Sequence, residues 1–448
     1  MQTLETVLQQ ISDVVWGWPM IILLVGTHIF LTIRLRFIQR YLGTAIRLSF
    51  RRTTEGAGDV SHFGALTTAL AATIGTGNIV GVATAVAAGG PGAVLWMWLT
   101  GVFGVATKYG EAILSVKYRI TTPQGLMAGG PMYVLERGMK KRWLGLTFAA
   151  LTAVSAFGIG NMVQANSISA MVQESFGITP WLTGIVMTIL TAIVIVGGIK
   201  SIASVCERLV PFMAVFYVLG SVILLAMNYQ TLPHTLWLIV STAFTGQAMV
   251  GGFLGAGMKE AIRYGVARGL FSNESGLGSA PIVAAAAQTK NPVRQALVSS
   301  TGTFWDTVVV CAVTGLVLVN SGEWVNGLRG AALTNAAFTD LPIIGPTVLA
   351  VGLLTFVFST ILGWSYYGEK AAEYLFGSRV ILPYRWLWVA AVMVGSVLSL
   401  PVVWSFADIT NALMALPNLI SLLVLSGVIV AETREYLWNN NLDKSAEG

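Results

Sequence analysis

Charge, cysteine and histidine are what this sequence has little of. Only 10% of its 448 residues are Asp, Glu, Lys or Arg, against about 25% in soluble domains, so a chain folded wholly in water is excluded. Two cysteines, Cys206 and Cys311, are too few for a disulfide framework or a metal cluster and read as packing residues. The three histidines, His28, His62 and His234, form no H-E-x-x-H pair, and no C-x-x-C, G-x-S-x-G, phosphate-cradling or dinucleotide-binding pattern is present. Catalysis has no visible apparatus, so the chain is not read as an enzyme, and drive by a nucleotide bound to this chain is disfavoured. The alternation of a membrane β-barrel is absent as well.

What is present is apolar length. Hydrophobic residues make up 55%, with 49 glycines and 14 tryptophans, and the apolar runs extend about 20 residues, enough for a helix to cross a hydrocarbon layer roughly 30 Å thick. The first run, Trp16 to Leu31, follows a segment holding Glu5 and Asp13 but no Lys or Arg, unlike the basic leader of a cleaved signal, and is counted as retained. The reading is an all-α integral membrane protein with eleven transmembrane helices, near 14–33, 62–88, 92–117, 145–175, 181–199, 209–228, 236–257, 296–320, 344–367, 386–404 and 410–431. With the N-terminus outside and the C-terminus cytoplasmic, all but Lys108 and Arg329 of the 26 Lys and Arg fall in cytoplasmic loops, which selects that orientation in a plasma or bacterial inner membrane. The net charge of +6 therefore reports topology, and no nucleic-acid partner is implied.

One stretch resists the scheme. Residues 271–287, FSNESGLGSAPIVAAAA, are assigned to a cytoplasmic hairpin or re-entrant element, because a further crossing there would carry Lys370, Arg379, Arg385 and Arg434 outside. The chain then divides into an external N-terminus, first helix and basic loop (1–61), a five-helix repeat (62–228), a second five-helix repeat (229–431) that includes a cytoplasmic loop 259–295, and a cytoplasmic tail (432–448). Five helices per half force the halves to enter from opposite sides, the arrangement of a 5+5 inverted repeat.

Two of these helices read as broken. In ATIGTGN, 72–78, glycines flank a threonine at mid-membrane depth, and an unwound backbone in hydrocarbon persists only where its polar groups meet a ligand, an ion or water. The helix opening the second half carries TGQAMVGGFLGAG, 245–257, in the matching place. Paired breaks point to a transporter's midplane binding site; the alternative is that the glycines let helices pack closely.

FGALTTALAATIGTGNIVGVATAVAAGGPGAVLWMW (63–98), GGPMYVLERGM (129–139) and KEAIRYGVARGLFSNESGLGSAPIVAAAAQT (259–289) resemble the alanine or glycine:cation symporter family. The resemblance covers nearly the whole chain and implies a sodium-coupled carrier of small neutral amino acids, alanine or glycine, with the inverted-repeat fold of the bacterial leucine transporter. It implies sodium as the coupling ion, no cofactor and no obligatory protein partner, so that the expected partners are the amino acid, sodium and the bilayer. The same resemblance makes the N–H groups of Thr76 and Gly77, beside Asn78 in GTGN, the cradle of the substrate carboxylate. It likewise implies a sodium shell of the Ala71, Ile74 and Phe356 carbonyls with the Ser359 and Thr360 hydroxyls; the plain alternative is that both hydroxyls bond to their own helix.

Gln164, whose amide can accept from an ammonium or donate to a carboxylate, is a candidate substrate contact, with Asn161 and Asn166 on other helical faces. The region around Gly251 is expected to offer carbonyls to the substrate ammonium. Trp364 either caps the pocket or anchors a helix at the interface. Lys108 and Glu111 share a helical face and read as a structural pair snorkelling toward the cytoplasm, while Asp306 is a candidate for proton sensitivity or gating. A proton-coupled carrier of the same fold and, in another class, a channel are the remaining alternatives.

Overall fold

Apolar side chains point outward as well as inward in this molecule, as a bilayer requires. In the computed structural model, which describes residues 2–51, 56–245, 257–339, 344–398 and 400–445, the helix Pro180–Ile195 exposes Trp181, Ile185, Ile189 and Ile193 on one stripe, a face that only lipid covers comfortably. Among the described residues six helices are long and apolar enough to cross a membrane, or up to eight if each of two bent pairs is one crossing. The protein is a multi-pass helical membrane protein; a two-stranded ladder of Ile120–Thr121 with Met127–Ala128 is its small β element.

The elements that matter for the site are α1 (His62–Thr73), α2 (Val82–Gly89), α3 (Gly92–Lys117), α4 (Gly198–Met227), α5 (Leu232–Thr245), α6 (Met258–Asn273), α7 (Ile344–Phe376) and α8 (Leu400–Val424). Helix α1 starts at Ser61, whose hydroxyl accepts the Gly64 N–H at 2.8 Å. It stops at Ile74, which is extended (ψ 94°), before Gly75. A π-helical turn, Gly77–Gly81, then leads into α2, and the two parts bend by 53°. The break expected in ATIGTGN is therefore there.

The structure shows a further break beyond the stretch 245–257 in which one was expected. Helix α5 is 14 residues long, about 21 Å, and runs across the end of the bundle: Asn320 donates to Thr235 near its start, while Trp96 donates to the Ala243 carbonyl near its end. Gly315 packs on Val94, so Asn320 and the start of α3 belong to the same end of the bundle. Gly251 and residues 246–256 are outside the described residues. Helix α6, expected in a cytoplasmic loop, instead lies along α3, where Gly265 meets Ala93 and Trp96 and Gly269 meets Thr100, while Gly89 at the end of α2 meets Ala261. The chain unwinds after Asn273, resumes in the short helix Pro281–Ala284, and still follows α3, with Ser115 donating to the Pro281 carbonyl and Arg119 to those of Ala285 and Ala287. Residues 258–287 thus accompany α3 along its full 26-residue length and are interrupted in FSNESGLG. Lys259, Arg263 and Arg268, which charge counting took for a loop, all lie on α6.

The two broken segments meet at the Arg119 end. Asp59 N–H and Val60 N–H donate to the Ala286 carbonyl, and Gln288 N–H returns to Val60 O at 2.8 Å.

Candidate functional site

The first break frees backbone groups that α7 reaches. In an unbroken helix Gly75 N–H would bond the Ala71 carbonyl; here it donates to Asn78 Oδ1 at 2.9 Å. Thr360 Oγ1 occupies the vacated position, donating toward Ala71 O (3.1 Å) and Ile74 O (3.2 Å). Ser359 Oγ points toward Ala71 O (3.3 Å) and its own-helix carbonyl at Phe356 (2.9 Å). Ala71, Ile74, Phe356, Ser359 and Thr360 therefore converge in one buried cluster of five hard oxygens, the donor chemistry sodium prefers. Own-helix bonding is half true for Ser359 and absent from the bonds formed by Thr360. Gly75 is required here by contact, since a Cβ would stand 2.5 Å from Thr360 Oγ1.

Beside this cluster Thr76 N–H donates to Gln164 Oε1 at 3.2 Å, and Gln164 Nε2 donates to the Ile159 carbonyl at 2.9 Å. Thr76 Oγ1 is buried without a partner, an exception that calls for a ligand or a water. Thr76 and Gly77 stand at the N-terminus of the second half of the broken helix, where backbone donors and the helix dipole favour an anion. Trp364 is wholly buried and lies against Gly160, where a Cβ would come within 2.1 Å of it. That removes the interface-anchor reading. Asn161 and Asn166 face away, donating to Trp388 O and Gly395 O.

The second break closes over the first. A Cβ on Gly77 would come within 3.0 Å of the Phe271 ring and 3.4 Å of Ser272 Cα. Asp306, in a π-helical stretch Phe304–Cys311, joins the two: its Oδ1 accepts from Asn78 Nδ2 (2.7 Å), its Oδ2 from Ser272 Oγ (2.9 Å) and Thr307 Oγ1 (2.7 Å). Cys311 Sγ sits in the same cluster, 3.0 Å from Ser272 Oγ, so this cysteine does more than fill space. Beyond Phe271, Arg268 and Asp408 of α8 form a bidentate pair at 2.9 and 3.2 Å, with the guanidinium beside the stacked rings of Phe271 and Trp404.

Lys108 and Glu111 do not snorkel. Both are buried; Lys108 Nζ donates to Asn273 O (2.8 Å), and Glu111 Oε1 accepts from the amides of Gly276 and Gly278 (3.0 and 3.1 Å). Sequence reasoning missed Phe271, Ser272 and the 273–280 backbone, although S-N-E-S-G-L-G inside an apolar context carried the same signal as ATIGTGN.

The sequence model of the sodium:alanine symporter family matches residues 1–447. The sodium/alanine symporter AgcS of Methanococcus maripaludis is 52% identical over 437 residues, 95% of this chain and 96% of that protein. In structure the chain is similar to MhsT crystallised with L-phenylalanine (TM-score 0.52, 13% identity, 87% of this chain and 93% of that one). It is equally similar to a manganese transporter of Eremococcus coleocola (TM-score 0.52, 14% identity, 88% and 85%). These structures share the leucine-transporter fold, and their different cargoes show that the fold alone does not name one.

Proposed function

The chain belongs to the sodium:alanine symporter family, and from that premise we propose that it carries small neutral amino acids, alanine and glycine, into the cell together with sodium by alternating access. The observation that carries this reading is the pairing of Thr360 with the carbonyls freed at the first break. A monovalent cation entering among Ala71 O, Ile74 O, Phe356 O, Ser359 Oγ and Thr360 Oγ1 would replace those bonds with ion–oxygen contacts. The same ion would stiffen the backbone whose next amides, at Thr76 and Gly77, receive the substrate carboxylate; coupling then follows, because each ligand pre-orders the site for the other.

In this reading Gln164 Oε1, which now occupies the Thr76 N–H, withdraws as the carboxylate arrives, and Asn78 fixes the turn from below. Trp364 bounds the pocket on the Gly160 side and keeps it small. The ammonium is received by carbonyls at the end of α6, around Phe271 and Ser272, a role first expected near Gly251. Arg268, Asp408 and Phe271 form the closed outer side, and opening of that ion pair precedes substrate entry.

We further assign eleven crossings in a 5+5 inverted repeat after the first helix, with 62–228 and 229–431 as its halves, the N-terminus outside and the C-terminus cytoplasmic. The second half's first crossing is 258–287 in this assignment. Basic segments at 34–52, 117–142, 200–208 and 370–385 still favour this orientation.

The test is uptake of radiolabelled alanine and glycine into liposomes holding the purified protein, with an inward sodium gradient compared against potassium and against a proton gradient. Accumulation with sodium alone supports the proposal. Accumulation driven by protons would move coupling to Asp306, which ties both breaks together, and flux without saturation would favour a channel.

A further inference from the structure

We propose that Lys108 and Glu111 are positioning residues that hold the second break open in one shape, each serving a fixed backbone polarity rather than each other. Asn273 ends α6, so its carbonyl has no helical donor, and Lys108 Nζ supplies one at 2.8 Å, a cation at the negative end of a helix. The chain then passes through three left-handed residues, Glu274 (φ 57°), Gly276 (φ 96°) and Gly278 (φ 83°). The amides of Gly276 and Gly278 both donate to Glu111 Oε1. Asn418 of α8 adds a third donor to that oxygen at 2.6 Å and also donates to Gly276 O at 2.9 Å. Glu111 Oε2 is buried without a partner, which is not how a carboxylate placed to pair with a neighbouring ammonium would sit.

The arrangement extends along one face of α3. Gly104 makes room for Ser275, Lys108 and Glu111 take the carbonyl and the amides, Ser115 donates to Pro281 O, and Arg119, just past the helix, donates to Ala285 O and Ala287 O. Steps of four, three, four and four residues return to the same face of a helix. Side chains of α3 thus stand in for the helical hydrogen bonds that the chain lacks after Asn273 and add to those of the short helix Pro281–Ala284, and the left-handed Glu274 is held among them. Because Phe271 and Ser272, which close the substrate pocket in the proposal above, immediately precede the segment, its shape sets the substrate side of the site.

Two readouts on the full-length reconstituted protein test this. Hydrogen–deuterium exchange is independent of what is transported. Glu111→Ala should raise exchange of the 273–280 amides on the order of tenfold, as expected when a charge-assisted hydrogen bond is lost, while 71–78 stays within about twofold; Glu111→Gln, which keeps an accepting oxygen, should retain most of the protection. Unchanged exchange at Gly276 and Gly278 in Glu111→Ala overturns the proposal even if transport fails. The second readout is half-saturation by alanine, and it rests on the symport reading. Lys108→Arg should stay within a few-fold of the native value and Lys108→Met should raise it about tenfold. The double swap Lys108→Glu with Glu111→Lys should be at least as defective as either single change, because a carboxylate then faces a carbonyl and an ammonium faces amides. Recovery of uptake in the swap would show an ordinary ion pair and overturn the assignment.

Discussion

The two breaks solve one problem with different chemistry. At the first, stranded backbone groups are met by neutral partners: Asn78 Oδ1 takes the Gly75 N–H, Gln164 Oε1 the Thr76 N–H, and Thr360 reaches the Ala71 and Ile74 carbonyls. At the second, full charges do the work, Lys108 on a carbonyl and Glu111 on two amides. Neutral partners are released easily, since a hydrogen bond between neutral groups contributes about 1 kcal/mol net, whereas one to a charged group contributes roughly 1.5–3 kcal/mol. In the proposed cycle the first break thus exchanges its internal bonds for ligands, and the second keeps its shape while the first is loaded.

Adding one methyl group to the first break should test this contrast most severely. Gly75→Ala places a Cβ 2.5 Å from Thr360 Oγ1, and overpacking of 1–3 kcal/mol against a site that must also admit an ion should reduce sodium-driven uptake on the order of 100-fold. Uptake within threefold of native would show that the two helices part more readily than the contact implies. Thr360→Ala removes two cross-helix oxygen contacts and should raise half-saturating sodium about tenfold with little change in maximal rate at high sodium. Ser359→Ala, whose hydroxyl divides itself between Ala71 O and Phe356 O, should shift it by only about two- to threefold. Equal effects for the two would mean that the freed carbonyls, rather than Thr360, carry the ion.

The smallest effect concerns the foot where the two broken segments are joined. Asp59, whose carboxylate accepts the Met127 N–H at 2.8 Å, has its pKa raised above the ordinary 3.8, chiefly by burial. Its neutral form is the one the fold favours, so the associated stability is present below that ordinary value and is lost as pH rises through the raised one. Asp59→Asn keeps an acceptor for Met127 and should flatten this part of the pH dependence of thermal unfolding, with a midpoint at pH 7 equal to or slightly above native. A lower midpoint at pH 7 would show that the charge itself is needed there, through Lys370, Lys200 or Arg119.

The first break was legible because its cause is local: two glycines about a threonine in an otherwise apolar helix. Its partners on α7 were legible only through the family resemblance, since nothing in VFSTILGW says which way Ser359 and Thr360 face. The second break was in plain view as SNESGLG, yet hydropathy gave α5 the length of a crossing and parity then pushed the break into a loop. An apolar helix that runs across a bundle end and one that traverses it have the same composition; contacts distinguish them, as Asn320 with Thr235 and Trp96 with Ala243 do here. Lys108 and Glu111 were seen to share a face but assigned to each other, because spacing reveals neighbours on one helix and not the backbone lying opposite.

The face that α3 presents to residues 273–287 has a consequence for what lengths of chain this protein tolerates. A helix read at fixed steps by a segment it does not bond to covalently acts as a graduated rule, and removal of one residue turns everything beyond it by about 100° and withdraws it by 1.5 Å. A single deletion between Gly104 and Lys108 would move both charges and Ser115 out of phase at once. The same deletion in α5, which lies across the bundle end, disturbs fewer graduations, chiefly the bonds of Asn320 with Thr235 and Trp96 with Ala243. A deletion scan scored by uptake should therefore show a periodic, intolerant tract in α3 and a permissive one in α5, and equal tolerance in both would mean that no register is being kept.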